Sequence, residues 1–172
     1  MKEIPLSQSK VALVDDADYG NVLSSGPWFA KHLGDTWYAN RNITKGDGTR
    51  STQNMHTFIT GNRETDHRNH DGLDNRRDNL RNVTHSQNQA NHLPMKNSTS
   101  KYKGVCWKKR EQRWLVQVGL NGRQKQFGLL EDELEAAIVY DIEAFGIHGE
   151  YSYLNCQHFP EVERYLLELI EG

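Results

Sequence analysis

Trp114-Leu115-Val116-Gln117-Val118-Gly119-Leu120-Asn121-Gly122-Arg123-Gln124-Lys125-Gln126-Phe127-Gly128 is the most legible stretch of this 172-residue chain. Trp114, Val116, Val118 and Leu120 alternate with Leu115, Gln117 and Gly119, the two-residue period of a strand with one buried face. Asn121-Gly122 signals a type I′ hairpin turn, in which both central residues need positive φ. The partner strand is expected over Gln124 to Phe127, ended by Gly128, and a further strand around Val105-Cys106-Trp107 precedes the pair. Glu131-Asp132-Glu133 then places negative charge at the positive end of a helix. Leu134, Ala137, Ile138, Asp141, Ile142 and Phe145 follow at helical spacing, with Gly146 as the stop. The pattern predicts a three-stranded antiparallel sheet with one helix laid on it. Beyond it, Val162, Tyr165, Leu166 and Leu169 make Glu161 to Ile170 an amphipathic helix that docks on this chain or on a second copy.

Outward from this module the composition changes. Pro94-Met95-Lys96-Asn97-Ser98-Thr99-Ser100 has the polar make-up of a linker. Residues 1–54 read as short strands and turns: Lys10 to Val14 is an apolar run stopped by Asp15-Asp16, and Trp37-Tyr38-Ala39 is a second strand. Ser24-Ser25-Gly26-Pro27 and Lys45-Gly46-Asp47-Gly48 are turn clusters. Residues 55–93 are polar and dense in His, Asn and Asp.

The net charge of −2 conceals a strong asymmetry. Ser98 to Gly128 holds eight Lys and Arg against one acid, whereas Leu129 to Gly172 holds eleven acids against one Arg. Such a basic segment suits a polyanion, and equally a solvated charge run balancing the acidic stretch behind it. Four Trp, seven Tyr and five Phe argue against disorder. No apolar run approaches the roughly 20 residues of a membrane span, and the N-terminus has no signal-type stretch. The expectation is a soluble, cytoplasmic protein with no membrane partner. Two cysteines, Cys106 and Cys156, make neither a disulfide framework nor a four-cysteine zinc site.

The chemistry concentrates in the middle segment. Leu80-Arg81-Asn82-Val83 is short enough to pair as a strand with the residues around Asp66, and Thr84 suits a helix N-cap before His85 to His92. A carboxylate from Asp66 and an amide oxygen from Asn88 are hard ligands of the kind Mg²⁺ accepts while keeping several waters. His67 beside them is suited to take a proton from water, and an Asn oxygen such as that of Asn79 could accept its other ring N–H. Together they describe metal-assisted hydrolysis of a phosphodiester. Asp, Asn and His are also ordinary loop residues, so residue types alone leave both readings open.

Asp66-His67-Arg68-Asn69-His70-Asp71-Gly72-Leu73-Asp74-Asn75-Arg76-Arg77-Asp78-Asn79-Leu80-Arg81, with Thr84 to Asn91 as closing helix, resembles the HNH motif of phage and intron-encoded homing endonucleases. The steps of twelve residues from His67 to Asn79 and nine from Asn79 to Asn88 match that family's spacing. Tyr102-Lys103-Gly104-Val105 through Trp114, Phe127-Gly128 and Ala136 to Asp141, as far as Leu154-Asn155, resembles an AP2 DNA-binding domain.

The resemblance implies an α+β chain: a small ββα-metal (HNH) nuclease domain followed by an AP2-like three-stranded antiparallel sheet plus helix. Residues 1–54 form a β-rich extension packing on the nuclease, 55–93 the HNH motif, 94–100 the linker, 101–155 the AP2-like domain and 156–172 the C-terminal helix. It also implies Asp66 and Asn88 as metal ligands, His67 as general base and Asn79 as the residue orienting it. Asn88 stands where many members have His, which implies Mg²⁺ or Mn²⁺ and not Zn²⁺. His56, in Met55-His56-Thr57-Phe58-Ile59, also fits the family, as a phosphate contact or a packed structural residue. Arg76, Arg77 and Arg81 are expected to meet phosphates, and Lys103, Lys108, Arg110, Gln117, Gln124 and Gln126 to face DNA from the AP2-like sheet. Cys106 and Gly119 stand where plant AP2 domains place DNA-contacting arginines, so no target sequence follows. The expected activity is a metal-dependent endonuclease, monomer or homodimer, acting on double-stranded DNA. The alternative is a catalytically inactive, sequence-specific DNA-binding regulator.

Overall fold

The computed structural model describes residues 1–34 and 36–171. It is a mixed α+β structure with several small antiparallel sheets, and it divides into two compact units, Met1–Thr84 and His85–Gly172.

The first unit begins with a hairpin of β1 (Lys2–Pro5) and β2 (Val11–Val14), with Lys2 opposite Val14. α1 (Asp16–Ser24) follows where strands and turns were expected. Its N-cap residue Asp15 makes no side-chain bond to the helix, because Oδ2 accepts the Arg77 backbone N–H instead. A three-stranded meander, β3 (Phe29–Leu33), β4 (Thr36–Thr44) and β5 (Arg50–Asn54), leads into the short helix α2 (Met55–Thr60). Gly61, in the left-handed conformation, ends that helix by donating its N–H to Thr57 O. β6 (Thr65–His67) then pairs antiparallel with β7 (Leu80–Asn82), Asp66 opposite Arg81 and His67 opposite Leu80. Ile4, Ala12, Val14, Val22, Trp28, Ala39 and Met55 form the core between the hairpin, α1, the meander and α2.

The second unit starts with α3 (His85–Asn91). β8 (Val105–Lys108), β9 (Arg113–Leu120) and β10 (Arg123–Leu130) form an antiparallel sheet with β9 in the centre. Asn121 and Gly122, both at positive φ, make the tight turn between β9 and β10. β10 does not stop at Gly128. It shifts register between Gln126 and Gly128 and continues, and Gly128 supplies the positive φ that this bulge needs. α4 (Glu133–His148) opens with Asp132 accepting from the Glu135 N–H, runs through Gly146, and packs Ala136, Ala137, Ile138, Tyr140 and Ala144 against Val105, Val116 and Val118. Ile142 and Phe145, expected on the buried face, are exposed. Asp141 fixes the helix rotation instead: its two carboxylate oxygens accept the N–H groups of Asn155 and Cys156. α5 (Pro160–Glu171) sends Val162, Tyr165 and Leu166 into the same core.

The division of the chain falls between Thr84 and His85 and not in the 94–100 stretch. Those residues have linker composition, yet Thr99 Oγ1 accepts the Trp107 N–H and Ser98 Oγ donates to Val105 O, tying the stretch to β8. Gly104 shows how tightly the unit is packed. It has φ +75°, and an added Cβ would run into the Tyr140 ring and approach Gln117 O to 2.7 Å. Gly104→Ala is therefore expected to cost at least about 1–3 kcal/mol, read by urea unfolding of the full chain. Unchanged stability would mean that Tyr140 does not close over this glycine.

Candidate functional site

The β6–β7 ladder has three residue pairs, too few to hold itself together, and its side chains supply the rest. Asp66 Oδ2 accepts from Arg81 Nε at 3.0 Å and from Arg81 Nη2 at 2.9 Å. Both residues are buried, at 9% and 8% exposure, so the pair keeps a charged carboxylate beside His67 in a dry setting. Arg81, expected at a phosphate, is thus consumed inside the unit. Its burial follows from its register: it stands directly opposite Asp66 in a ladder that is covered on both faces.

The His67 ring lies in an aromatic niche. His56 meets it edge-on with ring centroids 5.0 Å apart, and Tyr38 from β4 packs against both, at 5.8 Å from His67 and 6.0 Å from His56. Burial pulls the His67 pKa below the ordinary histidine value, opposed by the acceptor oxygen of the Asn75 carboxamide and by the charges of Asp66, Asp71 and Asp74. The imidazole is therefore neutral near pH 7 and able to accept a proton. Burial, reinforced by His67, pushes His56 down to about 3. Asn54 Nδ2 lies 3.2 Å from His56 Nε2 and orients that ring. Burial and the Asp66 charge raise the Tyr38 phenol.

Asn79 does not orient His67. Its Nδ2 donates to Asp74 O at 2.8 Å, and its Oδ1 accepts the Asn69 N–H at 3.0 Å, so it braces the loop between β6 and β7. Asn75, four residues earlier, is fully buried, and its Nδ2 donates to Leu73 O at 3.1 Å and to Gly72 O at 3.4 Å. Asn75 Oδ1 is buried without a hydrogen-bond partner, so no bond of ordinary geometry ties this carboxamide oxygen down. Its backbone is firmly fixed: the Asn75 N–H donates to Leu13 O at 2.8 Å, and the Leu13 N–H donates to Leu73 O. Residues of the first 54 thus shape the site from two sides, β2 holding the Asn75 loop and β4 supplying Tyr38. Gly72 permits the close approach, since a Cβ there would strike Trp37 O and come within 2.6 Å of the Tyr38 ring.

Arg76 and Arg77 are also engaged with carboxylates. Arg76 makes a two-pronged bond to Asp74, and Arg77 makes one to Asp18. Both keep exposed side-chain surface. Asn88 is half-buried on α3, in the second unit. Taken separately, Asp66 in the first unit offers a carboxylate and Asn88 in the second an amide oxygen, both of the hard-donor class that divalent ions accept alongside water. Among the described residues no group of three or more His, Cys, Asp and Glu is gathered as a metal cluster.

On the second unit, register sorts the sheet faces. Lys108 opposes Arg113, Gln126 opposes Gln117 and Gln124 opposes Gly119, so Lys108, Gln117, Gln124 and Gln126 share the face turned away from α4. Arg110 is exposed in the β8–β9 turn. Lys103 departs from the expected DNA-facing role: its Nζ donates to Ala90 O and His92 O, both at 2.5 Å, and to Gln89 O at 3.4 Å. Leu115, also on the outer face, is nonetheless buried, and its cross-strand neighbours there are Cys106 and Leu129.

No family model, no curated protein and no solved structure matches the chain.

Two outcomes follow from this geometry. Arg81→Ala leaves the Asp66 charge buried without its guanidinium and is expected to cost about 3–5 kcal/mol, measured by denaturant unfolding. A loss below about 1 kcal/mol would mean the pair is solvated. Second, His56 takes up a proton in the unfolded chain near pH 6.5 but resists it in the folded one. Stability is then complete above pH 6.5 and falls as pH drops toward 3, by up to about 1.4 kcal/mol per pH unit for this group. His56→Phe should flatten that slope in urea titrations at successive pH values, and an unaltered slope would place the acid sensitivity elsewhere.

Proposed function

We propose that the chain is a metal-dependent DNA endonuclease of the HNH type, directed to double-stranded DNA by an AP2-like sheet. The observation that carries this reading is the adjacency on β6 of a charged Asp66 carboxylate and a neutral His67 imidazole. A hydrolase needs both on one short element: an oxygen ligand for the cation and a base that is unprotonated at working pH.

In this mechanism His67 takes the proton of the water that attacks the phosphodiester. Tyr38 and His56 pack against its ring and exclude bulk water, and Asp66 and the amide of Asn88 would be the ligands for Mg²⁺ or Mn²⁺. When bound, such an ion polarises the scissile phosphate and offsets charge on the leaving oxygen. Asn79 acts through the loop that it braces. The outer sheet face contributes Lys108 and Arg110 toward phosphates and Gln117, Gln124 and Gln126 toward base edges, in a major groove about 12 Å wide.

One observation favours the alternative, a DNA-binding regulator with a silent site. Arg81 already holds Asp66 Oδ2, and His67 is only 5% exposed. A supercoiled-plasmid assay with Mg²⁺, Mn²⁺ or EDTA separates the two. Metal-dependent nicking or linearisation that His67→Ala lowers by about a thousandfold or more, at equal DNA affinity, is the expected result. Tight duplex binding with no cleavage under either metal would leave the regulator.

A further inference from the structure

α3 has seven residues, ends at Asn91 and is followed by His92-Leu93-Pro94, without a glycine to turn its last carbonyls back on themselves. Those carbonyls are met from elsewhere in the second unit. Lys103 Nζ reaches Gln89 O, Ala90 O and His92 O, three acceptors for the three N–H donors of an ammonium. Ala90 O also accepts the Tyr153 N–H at 3.0 Å. The positive charge sits at the negative end of the helix, where the dipole favours it.

The lysine itself is fixed along its length. Its N–H donates to Asn155 Oδ1 at 2.8 Å and its carbonyl accepts from Asn155 Nδ2 at 3.2 Å. Asn155 is fully buried, and its own N–H donates to Asp141 Oδ1 at 2.7 Å. The Tyr153 ring lies 5.4 Å from the ammonium and is stacked at 4.2 Å on His158. A continuous path of bonds therefore runs from α4 through Asp141, Asn155 and Lys103 to the C-terminal end of α3. A phosphate could recruit this ammonium only by taking it from the helix.

We propose that Lys103 is a positioning residue: it clamps the end of α3 and thereby sets the helix that carries Asn88, so it serves the cleavage step and not DNA affinity. The inference rests on the nuclease reading for its catalytic consequence and on the helix geometry for its structural one.

The test uses the full chain as wild type, Lys103→Met and Lys103→Arg, with Lys103→Gln as the variant to use if the Met form does not fold. Three quantities are measured: affinity for a duplex oligonucleotide, the Mg²⁺ concentration giving half-maximal plasmid cleavage, and hydrogen exchange of the α3 amides. With Met, duplex affinity should stay within about twofold, while the Mg²⁺ requirement rises about tenfold, the size usual for partners behind a metal ligand. Exchange in α3 should quicken by about tenfold, and Arg, which keeps a charged donor, should restore part of both losses. A large drop in duplex affinity with unchanged Mg²⁺ requirement and unchanged exchange would overturn the proposal and make Lys103 a phosphate contact. Absence of cleavage by the wild type would defeat the nuclease reading alone, and exchange of α3 would still decide whether Lys103 clamps the helix.

Discussion

The first unit depends on one cross-strand ion pair. β6 and β7 are three residues each, and a ladder that short is marginal in water. Asp66 and Arg81 stand opposite each other in its middle, both buried, joined by two hydrogen bonds to one oxygen. Such a pair adds little net free energy relative to a hydrophobic pair, but it penalises every register that separates the charges. A one-residue slip would turn Asp66, His67 and Arg81 to the opposite faces. The interaction that fixes the register therefore also fixes which way the imidazole points.

From that pair the neighbouring geometry follows. With His67 turned inward, its ring needs a dry enclosure, and Tyr38, His56 and Asn75 come from three separate elements to provide one. Two of the three are secured by something remote in sequence: Leu13 bonds the Asn75 backbone, and Gly72 lets the loop lie against Tyr38, while Asn54 bonds His56 from two residues away. The N-terminal hairpin and the meander are thus part of the enclosure around the imidazole.

Much of the second unit was legible because its signals are local. Strand parity in β9, the Asn121-Gly122 turn and the acidic opening of α4 each depend on residues within a few positions of one another. The misread features all depend on distant partners. α1 contains Gly20 and polar residues, and it forms where Val22 meets the core and Asp15 and Asp18 meet Arg77. Ile142 and Phe145 fit a helical period, but the Asp141 bonds to Asn155 and Cys156 rotate them outward. Asn75 and Asn79 are one helical turn apart in number and identical in type, and only the loop path decides that Asn79 bonds Asp74 O and the Asn69 N–H while Asn75 is fully buried against β2.

The arginines and Lys103 illustrate the same limit for charge. A basic residue in a polar loop reads as a phosphate contact, because sequence shows its charge and not its partner. Here Arg81 faces Asp66, Arg76 faces Asp74, Arg77 faces Asp18 and Lys103 faces the carbonyls of α3. The basic character of Ser98 to Gly128 is therefore divided between two kinds of work. Lys103 is spent inside the fold, whereas Lys108 and Arg110, at the end of β8 and in the following turn, remain at the outer surface with Gln117, Gln124 and Gln126. The DNA contact surface proposed for this unit would draw on that second group, because residues whose donors already satisfy buried or helical acceptors cannot change partners without loosening the elements they hold.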